Sequence, residues 1–214
     1  MKRLLSVICA LLLAAGVAAS AAEQAPDELV KSVAQEVIEI IKQDKDIQAG
    51  NHKRILDLVD TKVLPHFDFV RMTRLAVGRN WSKANDAQRQ SLTAEFRQTL
   101  VRTYSTSLSQ YKNQTINYKP LNMQPGDVEA TVKTVVNQPS GQSIPIDYKM
   151  EKTAQGWKVY DISVDAVSLV TNYRSSFNDE VSKGGIDGLI HALSERNRSG
   201  KPDAAGKAAA VDKK

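Results

Sequence analysis

Cysteine is almost absent: 214 residues hold one, Cys9, and it stands inside an N-terminal apolar run. A disulfide framework is thereby excluded, as are thiolate zinc sites and iron–sulfur clusters, which need several cysteines at short spacings. Histidine is scarce too. His52, His66 and His191 lie far apart, and none belongs to an HExxH, HxH or Cys/His pattern, so no metal site is expected. There is no GxGxxG, no P-loop and no GxSxG, and Gly184-Gly185-Ile186-Asp187-Gly188 reads only as one helix ending and another starting. No serine stands in a context that marks a nucleophile. Charge of one sign is also lacking. The formal net charge of +5 falls by two when Lys2 and Arg3 are set aside, and by two more without the four Lys and two Asp of residues 199–214. What remains is near neutral, so composition points to no nucleic-acid partner.

What is present begins with a leader. Lys2 and Arg3 precede an apolar run from Leu4 to Ala19 and the small residues Ala19-Ser20-Ala21-Ala22. This pattern predicts a cleavable secretory signal peptide over residues 1–22, too short and Ala-rich to span a membrane. Cys9 lies within the apolar region and not at the cleavage point, which argues against a lipoprotein anchor. A disulfide-free exported chain must rely on its core, and a bacterial periplasm suits it. Residues 23–198 are expected to form a single domain. The end, SGKPDAAGKAAAVDKK from Ser199, has almost nothing to bury and is expected to be a disordered tail.

The first half of that domain is patterned for helices. Pro26-Asp27-Glu28 makes a favourable first turn for Leu29, Val30, Val33, Val37, Ile38 and Ile41. Ile55, Leu56, Leu58, Val59 and Val63 carry a second helix that stops before Pro65. Asp68 caps a third bearing Phe69, Met72, Leu75 and Ala76, with Gly78 ending it. The longest stretch runs from Asn85 to Lys112. Asn85 and Gln88 fit a capping box, and Leu92, Phe96, Leu100, Tyr104, Leu108 and Tyr111 form one stripe on a helix expected to be roughly 40 Å long.

Beyond Tyr111 the period changes from 3.6 to 2. Ile116 and Tyr118 begin a strand, and Gln124-Pro125-Gly126-Asp127 reads as a tight turn. Val128, Ala130, Val132, Thr134 and Val136 then alternate with polar residues, as do Ile144, Ile146, Tyr148 and Met150. After the Gln155-Gly156 turn, parity shifts from Trp157 and Val159 to Ile162 and Val164, which predicts a β-bulge near Asp161. Val167, Val170, Tyr173, Phe177 and Val181 predict a helix ending at Gly184-Gly185, and Ile186, Leu189, Ile190 and Leu193 a short final one. The class is α+β: N-terminal and C-terminal helices packed on one face of an antiparallel sheet of about four to five strands.

The best enzyme-like group is Asp161, Asp165, Tyr148 and Tyr160, in which a carboxylate in an apolar pocket acts as base and a phenol as donor. The structural alternative carries more weight: Asp161 satisfies backbone at the bulge, and Asp165 caps or leads into the next helix. Arg71, Arg74 and Arg79 have the chemistry to meet an anion, but on an amphipathic helix they read first as solvent-facing charges. Abundant apolar side chains, with Met72, Met123 and Met150 among them, suit a binder better than an enzyme.

Several segments resemble the MlaC family: HFDFVRMTR from His66 to Arg74, then Gly78, Trp81, Gln88-Arg89, Phe96, Thr103-Tyr104 and Leu108. The resemblance continues through IPIDYKM (Ile144 to Met150), GWKVYD (Gly156 to Asp161), VSLVTNYR (Val167 to Arg174), Phe177 and GIDGLI (Gly185 to Ile190). It covers about Leu29 to Asn197, departing where the family often has Gly at Ala166 and Leu at Val77. It implies a periplasmic phospholipid carrier of the Mla pathway, with no catalytic residue and no cofactor. Acyl chains would lie in an apolar cavity between a curved sheet and the helices. Its partners would be an outer-membrane lipoprotein–porin complex and an inner-membrane ABC transporter with its MCE-domain protein, and the carrier itself would be a monomer. Phe69, Met72, Leu75, Phe96, Leu100, Tyr104, Val132, Ile146, Tyr148, Met150, Val159, Val167 and Val170 are the expected acyl-chain contacts, some of them plain core. The competing expectations are an enzyme of NTF2-like cone shape using Asp161 as base, and a periplasmic adaptor that binds no lipid.

Overall fold

The computed structural model describes residues 24–200 apart from 112 and 140, without the side chains of 106 and 109; the expected leader and nearly all of the expected tail lie outside these residues. Ser199 is the last residue of a helix, and Gly200 caps it in the left-handed conformation.

Helix α1 (Pro26–Gln43) starts with proline in its first turn and buries Val30, Val37 and Ile41. Asp44 caps the short α2 (Lys45–Gln48) through the backbone N–H groups of Asp46 and Ile47, and Asn51 caps α3 (His52–Leu58). The helix predicted to stop before Pro65 instead continues as a π-helical turn over Val59–Val63 and a 3-10 turn over Leu64–His66. Proline fits there because the first turn leaves its missing N–H without a partner to lose. Helix α4 (Phe69–Val77) is capped by Asp68 accepting from Arg71 N–H. Gly78 follows with a φ of 61°, where a side chain would be strained.

Helix α5 (Asp86–Tyr104) opens with the expected capping box between Asn85 and Gln88. Its 19 residues span about 28 Å, less than the expected length, because Ser105–Gln110 is a 3-10 turn. Helix α6 (Arg174–Ser199) is broken at Gly184-Gly185, where Gly185 has a φ of 67°, so the two expected helices meet at a kink.

The strands form one antiparallel meander, β1 (Thr115–Tyr118), β2 (Glu129–Asn137), β3 (Ile144–Thr153), β4 (Gly156–Val164) and β5 (Val167–Ser168), in that spatial order. The bulge is where the parity shift put it. Lys149 faces Asp161 and Met150 faces Val159, which leaves Tyr160 as the extra residue. Three expectations are corrected. Val128 lies outside β2 and is 62% exposed. Val167 opens no helix but pairs with Val164 in a fifth strand, and Asp165 is no cap: Asp165 and Ala166, at φ 49° and 64°, make the tight turn between β4 and β5.

The buried side chains fall into three groups. Met72, Leu92, Phe96, Val170, Tyr173, Phe177, Leu189 and Leu193 join α4, α5 and α6, with Phe96 edge-on to Tyr173 and Phe177 at 5.0 and 5.2 Å. Val30 of α1 covers Ala130, Val132, Met150, Trp157 and Val159 on the sheet. Val37, Ile41, Ile47, Ile55 and Leu58 bind α1, α2 and α3 together. Phe67 touches the first two groups, and its backbone bridges to Val159 at the edge of β4 left free by the short β5.

Candidate functional site

Strand register assigns the sheet's apolar face residue by residue. Ala130, Met150 and Val159 form one row across the strands, and Val132, Tyr148 and Ile162 the next. Then come Tyr118, Thr134, Ile146, Val164 and Val167, followed by Ile116, Val136 and Ile144. The first row is buried under α1 and Phe67. The last two rows, Thr134 apart, are only half-buried, and Val167 is 42% exposed. An apolar sheet face is thus covered at one end and incompletely covered at the other.

Beside the open end, α1 and β1 enclose a groove of about 410 Å³. Ile38, Tyr111, Ile116 and Tyr118 supply its apolar lining; Gln35, Glu39, Lys42, Asn113, Gln114 and Thr115 supply the polar rim. Lys42 and Glu39 pair across 3.0 Å on that rim. A separate hollow of about 460 Å³, lined by Ile40 and Gln43 to Asp46, belongs to the α1–α2 junction and includes no sheet residue.

The thirteen expected contacts divide by burial. Met72, Phe96, Leu100 and Val170 are enclosed in the helical core, and Val132, Met150 and Val159 in the sheet core. These seven present no open surface in this conformation. Phe69, Leu75 and Tyr104 are half-buried beside the helical core, and Ile146, Tyr148 and Val167 lie on the sheet rows just described. Sequence reasoning missed Ile116, Tyr118, Val136, Ile144, Ile162 and Val164 as site residues. Their alternation was visible; that they share rows with Ile146 and Tyr148 required the register.

Asp161 is no pocket base. Its side chain is 3% exposed and bound on both oxygens. Ser168 Oγ donates to Oδ1 at 2.8 Å, Val170 N–H to the same oxygen at 3.4 Å, and Lys149 Nζ to Oδ2 at 3.1 Å. It holds the β5 turn and the start of the C-terminal region against the bulge. Tyr148 is half-buried as a whole, but burial of its phenol pushes the pKa up to about 12. Arg71 is not solvent-facing: its side chain is 18% exposed, forked between Glu151 and Glu129, with its guanidinium 3.6 Å above the Tyr160 ring. Burial raises the Glu151 carboxyl above its ordinary value, and nearby Asp68 adds to the rise while Arg71 opposes it. Among the described residues no group of three or more His, Cys, Asp or Glu is placed to hold a metal, and no helix is long and apolar enough to cross a membrane.

The family model of the MlaC protein matches residues 31–195. The chain belongs to the MlaC family. A relative within reach of this MlaC-family chain is the toluene tolerance protein ttg2D of Pseudomonas putida, 26% identical over 177 residues that make up 82% of either chain. Among solved structures it is similar to a phospholipid-binding protein from Ralstonia solanacearum, determined in complex with a phospholipid. The identity is 39% and the TM-score 0.76, over 81% of this chain and 97% of that one. Among the described residues the architecture is α+β, six helices and an open five-stranded antiparallel sheet, and this fold matches that structure.

Proposed function

We propose that this MlaC-family chain is a phospholipid carrier of the bacterial periplasm, which holds acyl chains against the incompletely covered apolar rows of its sheet. The observation that carries this reading is the half-buried face of Ile116, Val136, Ile144, Ile146 and Val164, with Val167 exposed beside it, in a fold shared with a structure that contains a phospholipid. Moving two acyl chains through water exposes roughly 30 methylenes at about 0.8 kcal/mol each, an upper bound above 20 kcal/mol. A carrier lowers that barrier by offering a surface about as apolar as the bilayer, and binding far more tightly would block release.

The groove of about 410 Å³ sits in the lower half of the range of about 300–1,000 Å³ usual for ligand cavities. Two acyl chains call for the upper end of that range, so the tails must also spread over the half-covered rows. In this reading no catalytic group is needed, and Asp161 serves the fold. The proposed exchange partners are an outer-membrane lipoprotein–porin complex and an inner-membrane ABC transporter with its MCE-domain protein, served by a monomeric carrier exported by the leader at residues 1–22.

Organic extraction and native mass spectrometry of protein purified from cells test the reading. Bound diacyl phospholipid is expected in wild type and strongly reduced in Ile146→Asp, with circular dichroism unchanged. Lipid-free wild type that also fails to load from vesicles would reject it.

A further inference from the structure

Three side chains on the sheet's apolar face carry a hydroxyl, and they are neighbours. Tyr118 on β1 stands opposite Thr134 on β2, and Tyr148 on β3 is the diagonal neighbour of Thr134. Thr134 Oγ1 donates to Ile146 O at 3.1 Å, which leaves its oxygen free to accept. Tyr118 is the outermost of the three and lines the groove beside α1. Among the described residues its hydroxyl has no hydrogen-bond partner.

Hydroxyls gain nothing from a hydrocarbon tail, and enclosing one without a partner costs free energy. A lipid is not hydrocarbon throughout. Where tails meet headgroup, a diacyl phospholipid carries two ester carbonyls, which accept hydrogen bonds and donate none. At that depth a donor inside an otherwise apolar wall is what the ligand requires. We infer that Tyr118, with Thr134 and Tyr148 beside it on the sheet, seats an ester carbonyl of a bound diacyl phospholipid, with the headgroup outward in the groove between α1 and β1. The inference rests on the carrier reading above and adds the orientation and linkage chemistry of the cargo. Burial raises the pKa of both phenols, so each stays protonated, and a donor, across the working pH range.

The test uses lipid chemistry. Lipid-free protein is equilibrated with vesicles containing equal amounts of ester-linked dipalmitoyl and ether-linked dihexadecyl phosphatidylcholine, and the bound lipids are counted by mass spectrometry. Wild type should take the ester form in preference by roughly two- to tenfold, the range for one net hydrogen bond to a neutral acceptor. Tyr118→Phe keeps the ring and should bring the ratio close to one while still loading lipid. A wild-type ratio of one with both lipids loaded overturns the inference, as does a Tyr118→Phe protein that keeps the wild-type preference. If neither lipid loads into wild type, the carrier reading falls, and this inference falls with it.

Discussion

Asp161 shows how far one residue's role depends on what surrounds it. In the sequence it is a carboxylate near phenols; in the fold its oxygens are taken by Ser168, Val170 and Lys149. Asp161→Ala should destabilise the protein by about 1–3 kcal/mol, the cost of leaving buried donors without an acceptor, while lipid content per folded molecule stays at the wild-type level. Chemical denaturation and lipid extraction read the two effects separately. Ala166 makes the opposite case. Its φ of 64° lies where a Cβ is unfavourable and glycine is at ease, and the resemblance had marked this position as one where the family often has Gly. Ala166→Gly should therefore stabilise by about 1 kcal/mol, or raise Tm by about 2–4 °C in a domain of this size.

Among the elements, α4 is tied to the sheet at several points. Asp68 N–H donates to Val159 O at 2.9 Å, Lys158 Nζ to Pro65 O at 2.6 Å, and Arg71 reaches Glu129 and Glu151 over the Tyr160 ring. Arg71→Ala should cost about 1–3 kcal/mol, chiefly through Glu151 and Tyr160, since Glu129 is 55% exposed and its pairing is screened by water. The raised Glu151 pKa sets a sign for pH. The folded state holds this proton more tightly than the unfolded chain, so its contribution is complete below the ordinary carboxyl value near 4.5 and is lost as pH rises through the raised value. Glu151→Gln should flatten the pH dependence of stability in that window, as followed by thermal unfolding from about pH 4 to 7. Element boundaries were legible wherever the signal was local. The Asn85–Gln88 capping box and the Asp68 cap were written in a few adjacent residues, and each is present. The end of α5 and the strand at Val167 were not, because the stripe of apolar residues continues past both and only packing shows where the backbone leaves it.

For the whole molecule, division of the apolar residues into enclosed and open sets decides which substitutions inform. Val132, at 1% exposure, is core, so Val132→Asp should abolish folding itself. Ile146 lies on the open rows, so Ile146→Asp is the substitution that separates lipid binding from stability. Circular dichroism and extracted lipid, measured on both variants, should show loss of fold in the first and loss of lipid alone in the second. The seven enclosed candidates were chosen from the same periodic pattern as the six with open surface. Periodicity reports which side of an element is apolar and is silent on what, if anything, covers it.

By itself the sequence determined the α+β class, the order of the longer helices and the first four strands, the bulge near Asp161, and the absence of thiolate metal chemistry. All of these follow from spacing and composition within short windows. Only the tertiary structure decided that Asp161 is locked, that Arg71 is forked, that Val167 is a strand residue, and that Tyr118, Thr134 and Tyr148 stand together on the apolar face. Each of these depends on residues brought side by side from distant parts of the chain, where register and burial, and not sequence neighbours, set what a side chain touches.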